Sequence, residues 1–151
     1  QAVKIEGGIH IVPQIEALVK YGIPVIGHLG LTPQSINLLS SYKKQAKTEE
    51  GANQLKQDAL ALQTAGISML VLENIPHDLA QDLKSILKIP TIGIGAGPHC
   101  DGQVQVFHDL LGLNPDLVPR HAVQYCSGAV LFDESIAKYS NNVRTNNFSS
   151  E

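Results

Sequence analysis

The sequence has little or none of several features, and the absence of some of them excludes classes of protein. It contains no tryptophan, only two cysteines, and 17% charged residues among 151. Cys100 and Cys126 cannot form a disulfide framework, and their spacing does not match a metal site, so we expect free thiols. The net charge is −3 without a basic cluster, which gives no electrostatic footprint for nucleic acid. No apolar run approaches the ~20 residues of a membrane span, and we expect no signal peptide.

A regular alternation of strand-like and helix-like segments runs through the chain. Apolar strand patterns occupy residues 2–6, 24–29, 68–73 and 90–95, and helical patterns occupy residues 9–21, 51–65, 76–87, 101–111 and 121–139. Asp101 is placed to cap the fourth of these helices and Gly112 to end it. Residues 140–151 are polar, and we expect an irregular tail. Because strands that alternate with helices pair in parallel, an α/β fold is predicted.

Two arrangements fit this alternation. Eight βα units close a (β/α)8 TIM barrel, whereas four units can form an open doubly wound sheet. Polar residues end the predicted strands, at Glu6, His28, Glu73 and the glycine-rich run 93–97. Catalytic residues of barrels come from the carboxyl ends of several strands, so these polar ends favour part of a barrel.

The directions of side chains along the strands predict a site. Lys4 and Glu6 are two residues apart, so they project to one face of an otherwise apolar strand, where unpaired charges are costly to bury. Glu73 is expected to point inward with Val71 and Met69. In the fourth strand, Ile92 and Ile94 are expected to cover the helices, with Gly93 and Gly95 lining the interior.

Five segments resemble one family in order and spacing. They are VKIEGG (3–8), GHLGLTPQS (27–35), LVLE (70–73), IGIGAG (92–97) and DGQV (101–104). This pattern is similar to that of the ketopantoate hydroxymethyltransferases, which are (β/α)8 barrels. The resemblance implies that residues 1–151 form a single partial barrel domain, the C-terminal half of the barrel from its fourth strand onward. The family's usual glycine-rich loop is replaced here by the bulkier segment Ser40–Lys47, which predicts altered loop closure.

The resemblance also implies a reaction and roles for three residues. Family members remove the C3 proton of 3-methyl-2-oxobutanoate and transfer a one-carbon unit from 5,10-methylenetetrahydrofolate, giving ketopantoate through an enolate that Mg²⁺ stabilises. By position, Glu73 matches the proton acceptor, Lys4 the substrate-binding lysine and Glu6 a metal ligand. His28 is open between a proton relay, a substrate contact and a hydrogen-bonded structural histidine, and it is given no role.

The resemblance finally predicts the partners and setting of the protein. Bacterial family members form homodecamers, so a homo-oligomer is expected, in the cytoplasm or, in a eukaryote, in mitochondria. Two alternatives stay open: a related carbon–carbon lyase of the phosphoenolpyruvate/isocitrate-lyase type, and a non-catalytic half-barrel module. The family's other metal ligands are aspartates on earlier strands, so this chain by itself is expected to be inactive.

Overall fold

The computed structural model describes residues 1–35, 44–116, 119 and 121–147. Within these ranges the chain forms two compact units, Gln1–Val104 and Gln105–Glu151. Half of the segment Ser40–Lys47 lies outside the described residues, and so does part of the approach to the last predicted helix. No helix in the described ranges is long and apolar enough to cross a membrane.

The first unit is a parallel sheet of five strands that lie side by side in chain order. The strands are β1 (Val3–Glu6), β2 (Val25–Gly30), β3 (Met69–Glu73), β4 (Thr91–Ile94) and β5 (Gly102–Gln103). The helices of this unit are α1 (Val12–Lys20), α2 (Glu49–Thr64) and α3 (His77–Ile86), with short 3₁₀ turns at Ile9–Ile11 and Pro33–Ser35. The predicted α/β alternation with parallel pairing is therefore confirmed.

Local signals explain where these helices begin and end. Thr48 caps α2, because its side-chain oxygen accepts a hydrogen bond from the Gly51 N–H at 3.1 Å. Gly22 follows α1 with a φ of +76°, a conformation in which glycine avoids the strain of other residues. Pro76 occupies the N-cap position of α3. These boundaries lie within a few residues of the predicted ones.

All three helices pack on one face of the sheet. Register pairs Leu29 with Leu72 and Gly27 with Leu70, so these positions share a face. The buried core joins Leu70 and Leu72 to side chains from each helix, including Ile15, Leu62 and Leu83. A doubly wound sheet carries helices on both faces and reverses its strand order. The observed arrangement has neither property and is consistent with part of a TIM barrel.

The prediction that Asp101 caps a helix is wrong. Its carboxylate instead accepts hydrogen bonds from the backbone N–H and the hydroxyl of Thr91, at 2.8 and 3.0 Å, and it pairs with Lys84. This attachment holds the chain against β4, and residues 102–103 form the fifth strand where a helix was expected. Sequence period alone did not show this strand, because two residues are too few to set a pattern.

The predicted facing of β4 is also wrong. Ile92 pairs in register with Val71, and Ile94 pairs with Glu73, so both isoleucines lie on the face opposite the helices. Gly93 shares the helix-side face with Leu72. A Cβ at Gly93 would lie 3.1 Å from the sulfur of Cys100, so the glycine leaves room for the segment leading into β5.

The second unit contains α4 (Phe107–Leu111) and α5 (Gly128–Arg144). Gly112 ends α4 in the left-handed conformation, at φ +62°, as predicted. The last helix begins at Gly128 rather than near His121, and it continues through Arg144. The tail that was expected to be irregular is therefore helical over Ser140–Arg144, because these residues continue the helix that begins at Gly128.

Candidate active site

The carboxyl ends of β1, β2 and β3 bring the polar strand residues together on one face. Register places Glu6 beside His28 and His28 beside Val71, and Glu73 follows two residues after Val71. Lys4 shares this face because it lies two residues before Glu6. The face opposite the helices thus carries all three residues that the sequence assigns to the site, together with His28.

The imidazole of His28 lies between the two glutamates. Its Nδ1 is 3.2 Å from Oε1 of Glu6, and its Nε2 is 3.1 Å from Oε2 of Glu73. The side chains are 2%, 11% and 13% exposed for His28, Glu6 and Glu73 respectively. Lys4 is 45% exposed and extends the row, with its Nζ 3.3 Å from Oε1 of Glu6. The row therefore runs from an exposed ammonium group to a nearly buried carboxylate.

Neither ring nitrogen of His28 makes an aligned hydrogen bond, although both lie close to carboxylate oxygens. A neutral imidazole carries one N–H, so it can donate to one glutamate, whereas an imidazolium can donate to both. Most buried polar atoms in proteins are hydrogen-bonded, and the exceptions call for a structural or functional reason. His28 therefore lies within reach of both carboxylates without an aligned hydrogen bond to either of them.

Glu6 is held from a further side by the loop that follows β2. The backbone N–H of Gln34, within the 3₁₀ turn Pro33–Ser35, donates to Oε2 of Glu6 at 3.1 Å. Both carboxylate oxygens of Glu6 therefore have neighbours. Lys4, Ile5, Glu6 and Gln34 line an open cavity of about 360 Å³ beside this end of the sheet. A larger open cavity at the start of α2 is lined by polar residues between Thr48 and Gln57. None of these residues lies near Lys4, Glu6, His28 or Glu73 in the sequence.

Gly7 and Gly8, which follow Glu6, allow α2 to pack closely against the loop after β1. Asp58 of α2 accepts a hydrogen bond from the Ile9 N–H at 2.9 Å. A Cβ at Gly8 would lie only 2.4 Å from Cγ of Asp58, and Gly7 has a φ of +134°. Side chains at either position would push the loop away, so the glycines permit the close approach of this carboxylate.

A third glycine fixes the end of β2 against Glu73. Gly30 has a φ of +93°, and a Cβ there would lie 2.2 Å from the carbonyl oxygen of Glu73. The next residue, Leu31, donates its N–H to that same carbonyl at 2.8 Å. The backbone of Glu73 is thus tied to the neighbouring strand, which fixes the point from which its side chain extends.

The row of side chains can support proton transfer and bind an anion. A carboxylate such as that of Glu73 can accept a proton, and an ammonium such as that of Lys4 can pair with a carboxylate or a developing oxyanion. A divalent cation fits less well. No group of three His, Cys, Asp or Glu side chains in the described ranges could hold a metal ion, and Glu6 is a single carboxylate with Lys4 beside it.

The structure thus brings together Lys4, Glu6 and Glu73, as the resemblance predicted, and adds His28 between them. The sequence does offer a hint for His28, which is a polar residue near the end of an otherwise apolar strand and lies on the same face as that strand's last residue, Gly30. Such a position alone does not reveal which residue of a neighbouring strand lies alongside. That information depends on register, which is a property of the folded sheet.

Comparisons with known proteins agree with the resemblance. The family described as "Ketopantoate hydroxymethyltransferase" matches residues 1–151. A 3-methyl-2-oxobutanoate hydroxymethyltransferase of Chloroflexus aggregans is 53% identical over 148 residues, which is 98% of this chain and 53% of the relative. Proteins with the same name from Geobacter sulfurreducens and Acetivibrio thermocellus are 48% and 45% identical over 151 residues, or 57% and 53% of their lengths. The chain therefore spans about half the length of the curated relatives it matches.

Proposed function

This chain belongs to the ketopantoate hydroxymethyltransferase family, and we propose that the protein transfers a hydroxymethyl group to 3-methyl-2-oxobutanoate, giving 2-dehydropantoate. The proposed one-carbon donor is 5,10-methylenetetrahydrofolate. The observation that carries the proposal is the row Lys4–Glu6–His28–Glu73 at the carboxyl ends of three parallel strands. In barrel enzymes this is the end at which substrates react.

Glu73 is proposed as the base. Its carboxylate accepts the proton from C3 of the keto acid, and the electron pair of the broken C–H bond forms the enolate. C3 and a water oxygen each bond to the methylene carbon of the donor while both bonds from that carbon to nitrogen break, and the two nitrogens take up the C3 proton from Glu73 and one proton from the water. Because the donor supplies only a CH2 unit, one water molecule must provide the hydroxyl oxygen of the product. Tetrahydrofolate is the second product.

Lys4 is proposed to bind the keto acid. Its ammonium group is the exposed member of the row and lines the cavity beside Glu6. Pairing with the substrate carboxylate, or with the oxygen on which enolate charge develops, stabilises the charge where it forms. The half-exposed position of Lys4 leaves it accessible to a small acid from solvent, while Glu73 stays nearly buried.

The proposed Mg²⁺ ion needs ligands beyond the described residues. Mg²⁺ prefers six oxygen ligands and is held in proteins by carboxylates together with water and substrate oxygens. Glu6 could supply one such oxygen, but the described residues do not form a metal site by themselves. We therefore assign no step to the metal. By the same resemblance we propose a homo-oligomer, a decamer as in bacterial members, and a cytoplasmic location.

A chimeric enzyme tests the proposal. The matching segment of the Chloroflexus aggregans relative is replaced by this chain, and 2-dehydropantoate is measured with and without 5,10-methylenetetrahydrofolate. We expect donor-dependent product, and a Glu6→Ala variant should need a higher Mg²⁺ concentration for the same rate. Product formation that does not depend on the donor would contradict the proposal. A correctly folded chimera that forms no product would contradict it as well.

We propose that the 151-residue chain by itself is inactive, because it offers one carboxylate toward a metal and about half the length of its relatives. Equilibrium dialysis of the chain with Mg²⁺ and 3-methyl-2-oxobutanoate is the measurement, with the chimera as the positive control. Weak binding is expected. Tight binding of both by the chain would show that it contains a sufficient site.

A further inference from the structure

We propose that His28 is a positioning residue that transmits the fixed position of Glu6 to Glu73. This inference rests on the proposed function, in which Glu73 is the base, and it concerns how that base is held. It starts from an asymmetry between the two glutamates, whose carboxylate oxygens lie 3.2 and 3.1 Å from the two ring nitrogens.

Glu6 is held from several directions that do not involve His28. Its Oε2 accepts the Gln34 N–H at 3.1 Å, and its Oε1 lies 3.3 Å from Nζ of Lys4. The loop directly after Glu6 is fixed to α2 through Asp58. The position of the Glu6 carboxylate is therefore well constrained by contacts other than His28.

Glu73 has much less to hold its side chain. Its backbone is tied down through Leu31, but among the described residues His28 is the one ionisable side chain at ion-pair distance from its carboxylate. A glutamate has three rotatable side-chain bonds, and its register neighbour Ile94 offers no polar atom. We therefore expect the carboxylate to rotate away from the reacting carbon when His28 is absent.

His28 suits this role because its position in the sheet constrains it. Its side chain is 2% exposed, it lies within β2, and both of its neighbouring strands are paired to β2 in register. A rigid planar ring between two carboxylates sets the distance between them. A displacement of about 1 Å in a reacting group can lower a rate about 100-fold, so a base on a flexible side chain gains from such a link.

Two amide substitutions separate the two ends of the ring. The amide nitrogen of asparagine can take the place of Nδ1, and that of glutamine can take the place of Nε2, so H28Q keeps a donor toward Glu73 while H28N loses it. In the chimera we expect H28N to lower kcat about 100-fold with KM changed less than about threefold. H28Q should retain kcat within about tenfold. Equal kcat values for H28N and H28Q would overturn the proposal, whether both match the parent or both are lost.

A double-substitution cycle distinguishes positioning through Glu73 from a merely structural role. If His28 acts through Glu73, adding H28N to E73Q should lower kcat no further, since the base is already absent. A further loss of the size that H28N causes alone would mean that His28 acts independently. If E73Q leaves kcat unchanged, the proposed base is wrong, and the position of the Glu73 carboxylate then tests the link by itself.

Crystal structures of the H28N and H28Q chimeras provide a readout that does not require turnover. We expect the Glu73 carboxylate to stay in place in H28Q and to rotate away in H28N, with Glu6 unmoved in both. An unmoved Glu73 in H28N would overturn the inference even if the chimera were fully active. A displaced Glu73 would support it even if the chimera formed no product, so the two proposals can fail separately.

Discussion

Two polar clusters lie at opposite ends of the sheet in the first unit, and they are built differently. At the carboxyl ends, His28 lies between Glu6 and Glu73 without an aligned hydrogen bond. At the beginning of β4, the buried Thr91 and the more exposed Asp101 are joined by three hydrogen bonds of 2.8 to 3.3 Å. The second cluster satisfies its polar groups within itself, whereas the first leaves charged and polar groups facing an open cavity.

This difference predicts a role in stability for the second cluster and fits the chemical role proposed for the first. Thr91 and Asp101 join β4 to the segment before β5, and Lys84 of α3 adds a charge beside Asp101. The backbone N–H and the side-chain hydroxyl of Thr91 both have their partners within this cluster. The row at the carboxyl ends lies in the place where barrel enzymes carry their catalytic residues, while the opposite end serves stability. Substitutions in the two clusters should therefore change different measured quantities.

The largest expected effect is on turnover, from Glu73→Gln in the chimera. Loss of a general base lowers a rate about 100- to 10,000-fold, so kcat should fall within that range. The measurement is steady-state formation of 2-dehydropantoate, with thermal unfolding monitored in parallel. Glu16→Gln makes the same chemical change on the exposed surface of α1 and should leave kcat unaltered. If kcat falls only in proportion to the loss of folded protein, Glu73 has a structural role and is not the base.

The next effect is on substrate affinity, from Lys4→Met. Hydrogen bonds to charged groups contribute about 1.5–3 kcal/mol, which predicts that KM for 3-methyl-2-oxobutanoate rises about 10- to 100-fold. The methionine keeps most of the side-chain volume, and KM for the folate donor should change little. Lys88→Met, at an exposed position after α3, is the matched control. An unaltered KM for the keto acid would remove Lys4 from the proposed site.

A smaller effect, on stability rather than activity, is expected from Asp101→Ala. The substitution leaves the buried N–H and hydroxyl of Thr91 without their partner, and such unsatisfied groups destabilise a fold by about 1–3 kcal/mol. Urea unfolding of the chimera measures this, and kcat of the folded enzyme should stay unchanged. Asp82→Ala removes an exposed ion pair with Lys56 and should alter stability by less than about 1 kcal/mol. If both variants unfold at the same urea concentration, the Thr91–Asp101 cluster does not stabilise the fold.

The smallest effect concerns the two thiols. Burial raises the pKa of Cys100, next to the Thr91 cluster, although Thr91 and Lys84 oppose the shift. The thiolate is the reactive form, so a raised pKa leaves less of it at pH 8, and Cys126 is exposed. Iodoacetamide should therefore label Cys126 severalfold faster in the folded chain, as followed by peptide mass spectrometry. In urea the two rates should become similar. Faster labelling of Cys100 would show that its surroundings are more open than the structure indicates.

The sequence predicted most of the local structure and three members of the row, for identifiable reasons. The end of α4 came from the stop at Gly112, a signal that acts within a few residues. The shared face of Lys4 and Glu6 came from the alternation of side chains along one strand. Assignment of Glu73 depended on the resemblance, since a carboxylate at the end of an apolar strand has several ordinary explanations.

The predictions that failed depended on contacts between segments distant in the chain. Asp101 has the side chain of a helix cap, but the buried start of β4 offers it stronger partners in Thr91. Ile92 and Ile94 were assigned to the helix side because they are apolar. Their register with Val71 and Glu73 places them on the other face instead. In both cases pairing with a neighbouring strand outweighed the preference that the local sequence indicated.

The sequence by itself determined the alternation of strands and helices, the family, and the single face that Lys4 and Glu6 share. Each follows from short-range periodicity or from residue identity at fixed spacing. Only the tertiary structure decided that His28 lies between Glu6 and Glu73 and that Asp101 joins two strands. These depend on register between parallel strands, which is set when helices up to 16 residues long pack and bring the strand ends side by side.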